Sequence, residues 1–322
     1  MANREEHEYE KIRTVVESIL ADYDHDRDID KLSAFDQPDQ DAVIEIVQKL
    51  LRIIFPGYHR DKVYKSYNAY VNLSTLIEDV MYNLNKQISI VLRYNSKFAD
   101  SEEEVIDEET KRITFEFFKQ IPKIRDYIDT DLEATFVGDP ASDSKDEVVL
   151  SYPGLLATSI YRIAHELHEL DVPLIPRMMT EYAHSETGID IHPGATIGKY
   201  LMIDHGTGVV IGSTSVIGDH VKIYQGVTIG ALTTKNGRDW HGVKRHPTIE
   251  DYVTIYSGAS LLGGETVIGA RSVIGSNAFI TRSIPPDTSV SIRNQELRFK
   301  QGGKEILKDG DLEQDSTWFY VI

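Results

Sequence analysis

A chain of 322 residues exceeds one ordinary domain, so at least two units are expected. Its 52 acidic and 34 basic residues give a formal charge of −18, which sets it against nucleic acid and anionic membrane as partners. Cysteine is absent, which excludes disulfides, thiolate metal sites and a cysteine nucleophile, and no stretch approaches the roughly 20 apolar residues of a membrane span.

The first residues are acidic and polar rather than signal-like, so a cytoplasmic protein is expected. Residues from 3 to about 180 read as helical. Apolar side chains fall at spacings of three and four in Ile12, Val15, Val16, Ile19 and Leu20, in Val43, Ile44, Val47, Leu50 and Leu51, and in Leu73, Leu76, Val80 and Leu84. Between the first two groups Asp22, Asp24, Asp26, Asp28 and Asp30 alternate. A calcium loop starting at Asp22 needs glycine where Arg27 stands and glutamate where Ser33 stands, so this is read as a solvated acidic turn. Residues 96–111 are polar and acidic and are expected to form a loop or helix junction, and residues 138–147 a second irregular segment. A helix begins at Ser151-Tyr-Pro-Gly with Ile160, Ile163, Ala164 and Leu167 on one face, and another follows Pro173.

The last third has a different period. An aliphatic residue recurs every six positions at Ile191, Ile197 and Ile203, at Ile211, Ile217, Ile223 and Ile229, at Ile249, Ile255 and Leu261, and at Ile268, Ile274 and Ile280. A small or β-branched residue follows four places on at most of these, among them Ala195, Ser215, Val227, Ala259 and Ala278. This pattern predicts a left-handed parallel β-helix: each hexad forms one side of a triangular coil, and the aliphatics of successive coils stack into one core. The fold class is therefore α+β, with a helical domain over 1–187, a β-helix over 188–290 and a tail over 291–322. Pro285-Pro286 stops the repeat, and no periodicity gives the tail a fold of its own.

Polar groups that break the beat are candidates for chemistry. Asp190 and His205 stand 15 positions apart, close to one turn of about 18 residues, which places them on neighbouring coils about 4.8 Å apart. A carboxylate that holds one imidazole nitrogen leaves the other as a general base. A pair of surface polar residues at a coil corner is the alternative. The second break separates Ile229 from Ile249 by a loop carrying Lys235, Arg238, Lys244 and Arg245, a local reversal of sign that suits a carboxylate or phosphate, or that marks a flexible basic excursion.

The string TGIDIHPGATIG, followed by IDHGTGVVIG, VIGDHVKIYQGVTIG and KRHPTIEDYVTIYSGASLLGG, resembles serine O-acetyltransferase. Asp139-Pro140-Ala141 and the helix carrying Tyr161-Arg162-Ile163-Ala164-His165 extend the likeness over residues 136–290. The resemblance implies transfer of acetyl from acetyl-CoA to the hydroxyl of L-serine, the first step of cysteine synthesis, with no metal. It implies His205 as general base with Asp190 as partner, Asp139 and Asp204 on the substrate ammonium, and Arg245 and His246 on its carboxylate. It implies further that the pantetheine of CoA passes Gly230, Ala231 and Ser257, with Lys235 near a phosphate. Ser213 departs from the pattern by standing where many members have glutamate, and the loop over 231–244 is longer than in compact members. His192 is read as a structural coil residue, and His220 as a surface or packing residue.

The resemblance also implies feedback inhibition by L-cysteine, a homotrimer or dimer of trimers, and docking of the terminal Ile322 into O-acetylserine sulfhydrylase. Three other readings remain open at this point. One is acetylation of homoserine or a sugar on the same fold. Another is a zinc enzyme of the γ-carbonic anhydrase type, which needs His192, His205 and His220 to converge. The last is a scaffold without catalysis.

Overall fold

The computed structural model describes residues 2–25, 27–30, 37–59, 68–233 and 242–292, with the backbone of two further strands at 299–301 and 304–307. Among the described residues eight helices come first: α1 (Ala2–Tyr23), α2 (Gln40–Ile54), α3 (Ala69–Leu92), α4 (Glu103–Lys119), α5 (Ile121–Gly138), α6 (Lys145–Ser151), α7 (Pro153–Glu169) and α8 (Ile175–Thr187). Their starts follow local chemistry. Asp39 accepts from the N–H of Ala42, Asn68 from those of Tyr70 and Val71, and Ser144 from that of Glu147.

The helical core gathers the predicted faces: Val43, Val47, Leu50 and Leu51 of α2, Val80 and Leu84 of α3, and Ile160, Ile163, Ala164 and Leu167 of α7 are all buried. The stripe of Ile12, Val15, Val16, Ile19 and Leu20 on α1 is instead exposed. Two segments expected to be irregular are partly helical. α4 begins at Glu103 because Ile106, Thr110, Ile113 and Phe117 form a buried stripe that continues beyond position 111, leaving the acids on its outer face. α6 begins at Lys145 behind the Ser144 cap.

Thirteen short strands then wind the predicted β-helix: β1 (Asp190–Ile191), β2 (Thr196–Ile197), β3 (Met202–Ile203), β4 (Val210–Ile211), β5 (Val216–Ile217), β6 (Lys222–Ile223), β7 (Thr228–Gly230), β8 (Thr248–Ile249), β9 (Thr254–Ile255), β10 (Ser260–Leu262), β11 (Val267–Ile268), β12 (Val273–Ile274) and β13 (Phe279–Ile280). Each contains one of the recurring aliphatics, and every one of those is buried. Pairing is parallel throughout. The first face of the prism is β1-β4-β7-β10-β13, the second is β2-β5-β8-β11, and the third is β3-β6-β9-β12 extended by β14 (Ser289–Val290). The tail, expected to lack a fold, contains an antiparallel pair, β15 (Phe299–Gln301) with β16 (Lys304–Leu307).

Three edges separate the faces. The first edge lies between the third and first faces, the second between the first and second, and the third between the second and third. The coils are not all of one length. Asp190 pairs with Val210 while Val210 pairs with Thr228, so the first coil is two residues longer than the second. The surplus sits between β3 and β4, on the first edge.

α7 and α5 fasten the prism to the helices. Arg162 donates to the carbonyls of Ile197 (2.7 Å) and Gly198 (2.6 Å) and to both oxygens of Asp131, which also accepts from the N–H of Leu201 (2.9 Å). Both side chains of this ion pair are buried. The Tyr161 hydroxyl donates to the carbonyl of Ala195. α7 runs so near β3 that a Cβ on Gly154 would lie 2.0 Å from the carbonyl oxygen of Ile203.

Candidate active site

The first edge carries the surplus residues and the acids. Asp204 follows β3 directly, and one of its oxygens accepts from the backbone N–H of His205 (2.8 Å). His205 takes a left-handed backbone conformation (φ 55°) and its side chain is 58% exposed, with Nε2 3.8 Å from the other Asp204 oxygen. The next residue turns tightly: at Gly206 (φ 79°) a Cβ would stand 2.4 Å from Ile189.

Asp139 reaches this edge from the end of α5. Its carboxylate accepts from the N–H of Ala141 (2.8 Å) and from the hydroxyl of Tyr152 (2.6 Å) at the start of α7. The Tyr152 bond, with lesser help from Ala141 and from His205, holds the Asp139 carboxyl below the usual range, while the same bond pushes the phenol up to about 12. Further down the edge Tyr224 stacks on Tyr256 at 5.1 Å, and the Ser257 hydroxyl donates to that of Ser276 (3.3 Å).

The expected hydrogen bond between Asp190 and His205 is not formed in this structure. Asp190 is instead held by Arg177 of α8, whose guanidinium donates to its two oxygens at 2.8 and 3.4 Å and also pairs with Glu181. The physical reason is that spacing along a coil sets backbone proximity, not which neighbour a carboxylate turns to, and α8 delivers a cation to Asp190 first. Glu181, His184 and Asp190 bring ligand-type atoms within 4.8 Å of one another, but the guanidinium already bonds both acids.

The second edge carries the cations. Arg245 donates to the hydroxyl of Ser213 (2.7 Å). Thr214 organises the rest: its Oγ accepts from the backbone N–H groups of Arg245 (2.9 Å) and His246 (3.1 Å) and lies 2.8 Å from Nδ1 of His246. That Nδ1 also accepts from the N–H of Thr214 (3.0 Å), which fixes the neutral ring with its proton on Nε2. Burial, then Arg245 and Lys244, pull His246 down to about 4. Its ring lies on Gly212, where a Cβ would come within 2.2 Å. Gly230 and Ala231 open the same edge, whereas Lys235 lies outside the described residues.

The remaining histidines fall elsewhere. His220 is stacked between Tyr200 (4.1 Å) and Tyr252 (4.5 Å) on the third edge, a packing role as expected. His192 sits on the second edge, its Nδ1 accepting from Gly194 N–H (3.0 Å), and burial holds it down at about 4. His192, His205 and His220 thus occupy three different edges and cannot ligate one ion within a single chain.

No protein-family profile matches the chain, but individual proteins do. It is 39% identical over 275 residues to the plasmid serine acetyltransferase of Synechococcus elongatus, an alignment that covers 83% of this chain and 85% of that one. The chain belongs to the serine acetyltransferase family. Solved structures agree. Serine acetyltransferase 1 of Entamoeba histolytica, crystallised with L-cysteine, is 33% identical with a TM-score of 0.67, covering 80% of this chain and 87% of that one. Isoform 3 from the same organism, also with cysteine, is 31% identical with a TM-score of 0.67, covering 88% and 93%.

As a serine acetyltransferase the chain is an acyltransferase. Two residues that shape its edges went unread in the sequence. In the sequence Tyr152 reads only as part of a helix start, because the partner of its hydroxyl, Asp139, lies 13 residues away at the end of another helix. Thr214 follows Ser213 in the corner, and only its three-dimensional place shows that it gathers Arg245 and His246. No helix of the described residues is long and apolar enough to cross a membrane.

Proposed function

We propose that the chain transfers acetyl from acetyl-CoA directly to the hydroxyl of L-serine, giving O-acetyl-L-serine and CoA. His205 is the general base. Its exposed imidazole takes the hydroxyl proton as the serine oxygen attacks the thioester carbonyl, and it returns that proton to the CoA sulfur as the tetrahedral intermediate collapses. Asp190, on the first face beside the same edge, is assigned as the carboxylate that would turn from Arg177 to orient and support the imidazolium. Asp139 and Asp204 receive the ammonium of serine, and Arg245 with the Nε2–H of neutral His246 receives its carboxylate.

The observation that carries this reading is that Asp204 adjoins His205, with an oxygen 3.8 Å from its Nε2, that Asp139 lies near enough to feel His205, and that both acids take their hydrogen bonds from neutral donors, the N–H groups of Ala141 and His205 and the hydroxyl of Tyr152. Their negative charge is thus kept for a cation. Asp131 and Asp190, by contrast, are neutralised by Arg162 and Arg177.

The acidic half of this site lies on the first edge and the cationic half on the second. Six residues at roughly 3.3 Å each set neighbouring edges up to ~20 Å apart, beyond the span of one amino acid. The CoA residues divide in the same way, with Ser257 on the first edge and Gly230 and Ala231 on the second. The site we assign is therefore completed by a second copy, first edge against second edge, as a homotrimer allows and a dimer of trimers retains. Cysteine, which differs from serine by one atom, occupies the same place as a feedback inhibitor. Use of acetyl-CoA fits a cytoplasmic setting. The acidic tail that ends in Val321-Ile322 lies outside the described residues, and we assign it to docking with O-acetylserine sulfhydrylase; deleting Ile322 should abolish co-purification and spare acetyl transfer.

Thiol release from acetyl-CoA by purified protein tests the assignment, with serine, homoserine, threonine and buffer compared. Serine-dependent release that falls roughly 100-fold or more in His205→Ala is expected. Preference for another acceptor would reassign the pocket, and near-normal turnover in a folded His205→Ala would remove the base.

A further inference from the structure

We propose that Tyr152 is a positioning residue for the ammonium group of the acceptor amino acid, acting through Asp139. The proposal rests on the reading that Asp139 meets that ammonium. To bind a cation well a carboxylate must be ionised, fixed in direction, and not already neutralised.

Asp139 stands at the C-terminal cap of α5, where the chain leaves the helix, and nothing in that helix directs its side chain. Two donors do. The N–H of Ala141 holds one oxygen at 2.8 Å, and the hydroxyl of Tyr152, which precedes α7, holds the other at 2.6 Å. A carboxylate has about four acceptor positions, so two remain for a ligand. A lysine or arginine in place of Tyr152 would fix the same oxygen but cancel its charge, as Arg177 does at Asp190. A phenol fixes it and leaves the charge in place. The phenol stays protonated through any working pH, since its own ionisation is pushed up to about 12 by the carboxylate it binds.

Placement supports this role over a merely structural one. Tyr152 caps α7 without a side-chain bond to that helix, so its hydroxyl is not used to close the helix end. The rest of the α7 anchorage to the prism, through Tyr161, Arg162 and Gly154, does not depend on it. Asp204 and His205 lie close enough for their charges to act on the Tyr152–Asp139 pair, which puts that pair at the first-edge site rather than behind it.

The test is steady-state kinetics of Tyr152→Phe, which keeps the ring and removes the donor, alongside Asp139→Asn. Loss of a hydrogen bond to a charged group should raise the KM for serine roughly tenfold in Tyr152→Phe, with kcat falling by less than that factor and the KM for acetyl-CoA moving least. Inhibition by cysteine should weaken in step with the serine KM, and inhibition by 3-mercaptopropionate, which lacks the amine, should not. An equal loss with both inhibitors would assign Tyr152 to general architecture and overturn the proposal. If Asp139→Asn raises the serine KM and Tyr152→Phe does not, the positioning role alone is wrong. If neither moves it, the reading of Asp139 fails and takes the proposal with it.

Discussion

Thr214 and His246 show how much of the cationic half hangs on single atoms. The Thr214 hydroxyl serves two backbone N–H groups and the imidazole Nδ1 at once. Thr214→Val keeps the shape and removes the hydroxyl that accepts from the N–H groups of Arg245 and His246, while Nδ1 keeps the backbone N–H of residue 214, so urea unfolding should show a loss of about 1–3 kcal/mol, together with a higher KM for serine. A variant as stable as the parent would mean that water replaces the hydroxyl at no cost. His246 makes a separate prediction. Its folded pKa of about 4, like that of His192, lies below the ordinary value near 6.5. Between those values the unfolded chain binds more protons, so this contribution is full above about 6.5 and is lost as pH falls toward 4. Thermal melts from pH 7.5 to 4.5 should fall with pH, and His246→Gln should flatten part of the slope. A parent Tm constant over that range would contradict the buried neutral ring.

At the scale of elements, the fold rests on two cores that α7 joins through Tyr161 and the buried Arg162–Asp131 ion pair. Replacing Arg162 with Met leaves the buried Asp131 carboxyl without its cation between α5, α7 and the prism, which should cost about 3–5 kcal/mol in denaturant unfolding. A loss below about 1 kcal/mol would show that Tyr161 and the apolar contacts suffice. The repeat itself was legible because its period is a geometric necessity: an aliphatic that missed its place would point into solvent, so all thirteen strands could be read from spacing. The interval between Ile203 and Ile211, wider than the hexad, also lay in the sequence and marks the corner that carries Asp204 and His205. Helix α4 was not legible, since its acids outnumber its buried residues in the window 96–111. The partner of Asp190 was hidden for another reason. Arg177 lies on a different element, and no spacing rule says which of two neighbours a carboxylate will face.

For the whole molecule, the proposed site, divided between two edges, would make assembly part of the chemistry. Within one chain, His205 with its acids and Arg245 with His246 face away from each other across a side of the prism, so a lone protomer would hold two incomplete halves. The first edge carries Asp139 and Asp204 and the second carries Lys244 and Arg245, and that contrast favours the pairing of unlike edges over like ones. The measurement that tests this most directly is complementation. His205→Ala and Arg245→Ala, each carrying a different tag, are co-expressed and purified through both tags, and serine-dependent CoA release is compared with that of each variant alone. Each variant by itself should be nearly inactive, and the doubly tagged assembly should recover about a third of parental activity if it is a homotrimer, in which every mixed ring holds one interface joining two intact halves, or about a quarter if it is a dimer of trimers. A mixed assembly as inactive as its parents would place both halves of the site in one chain and contradict the account.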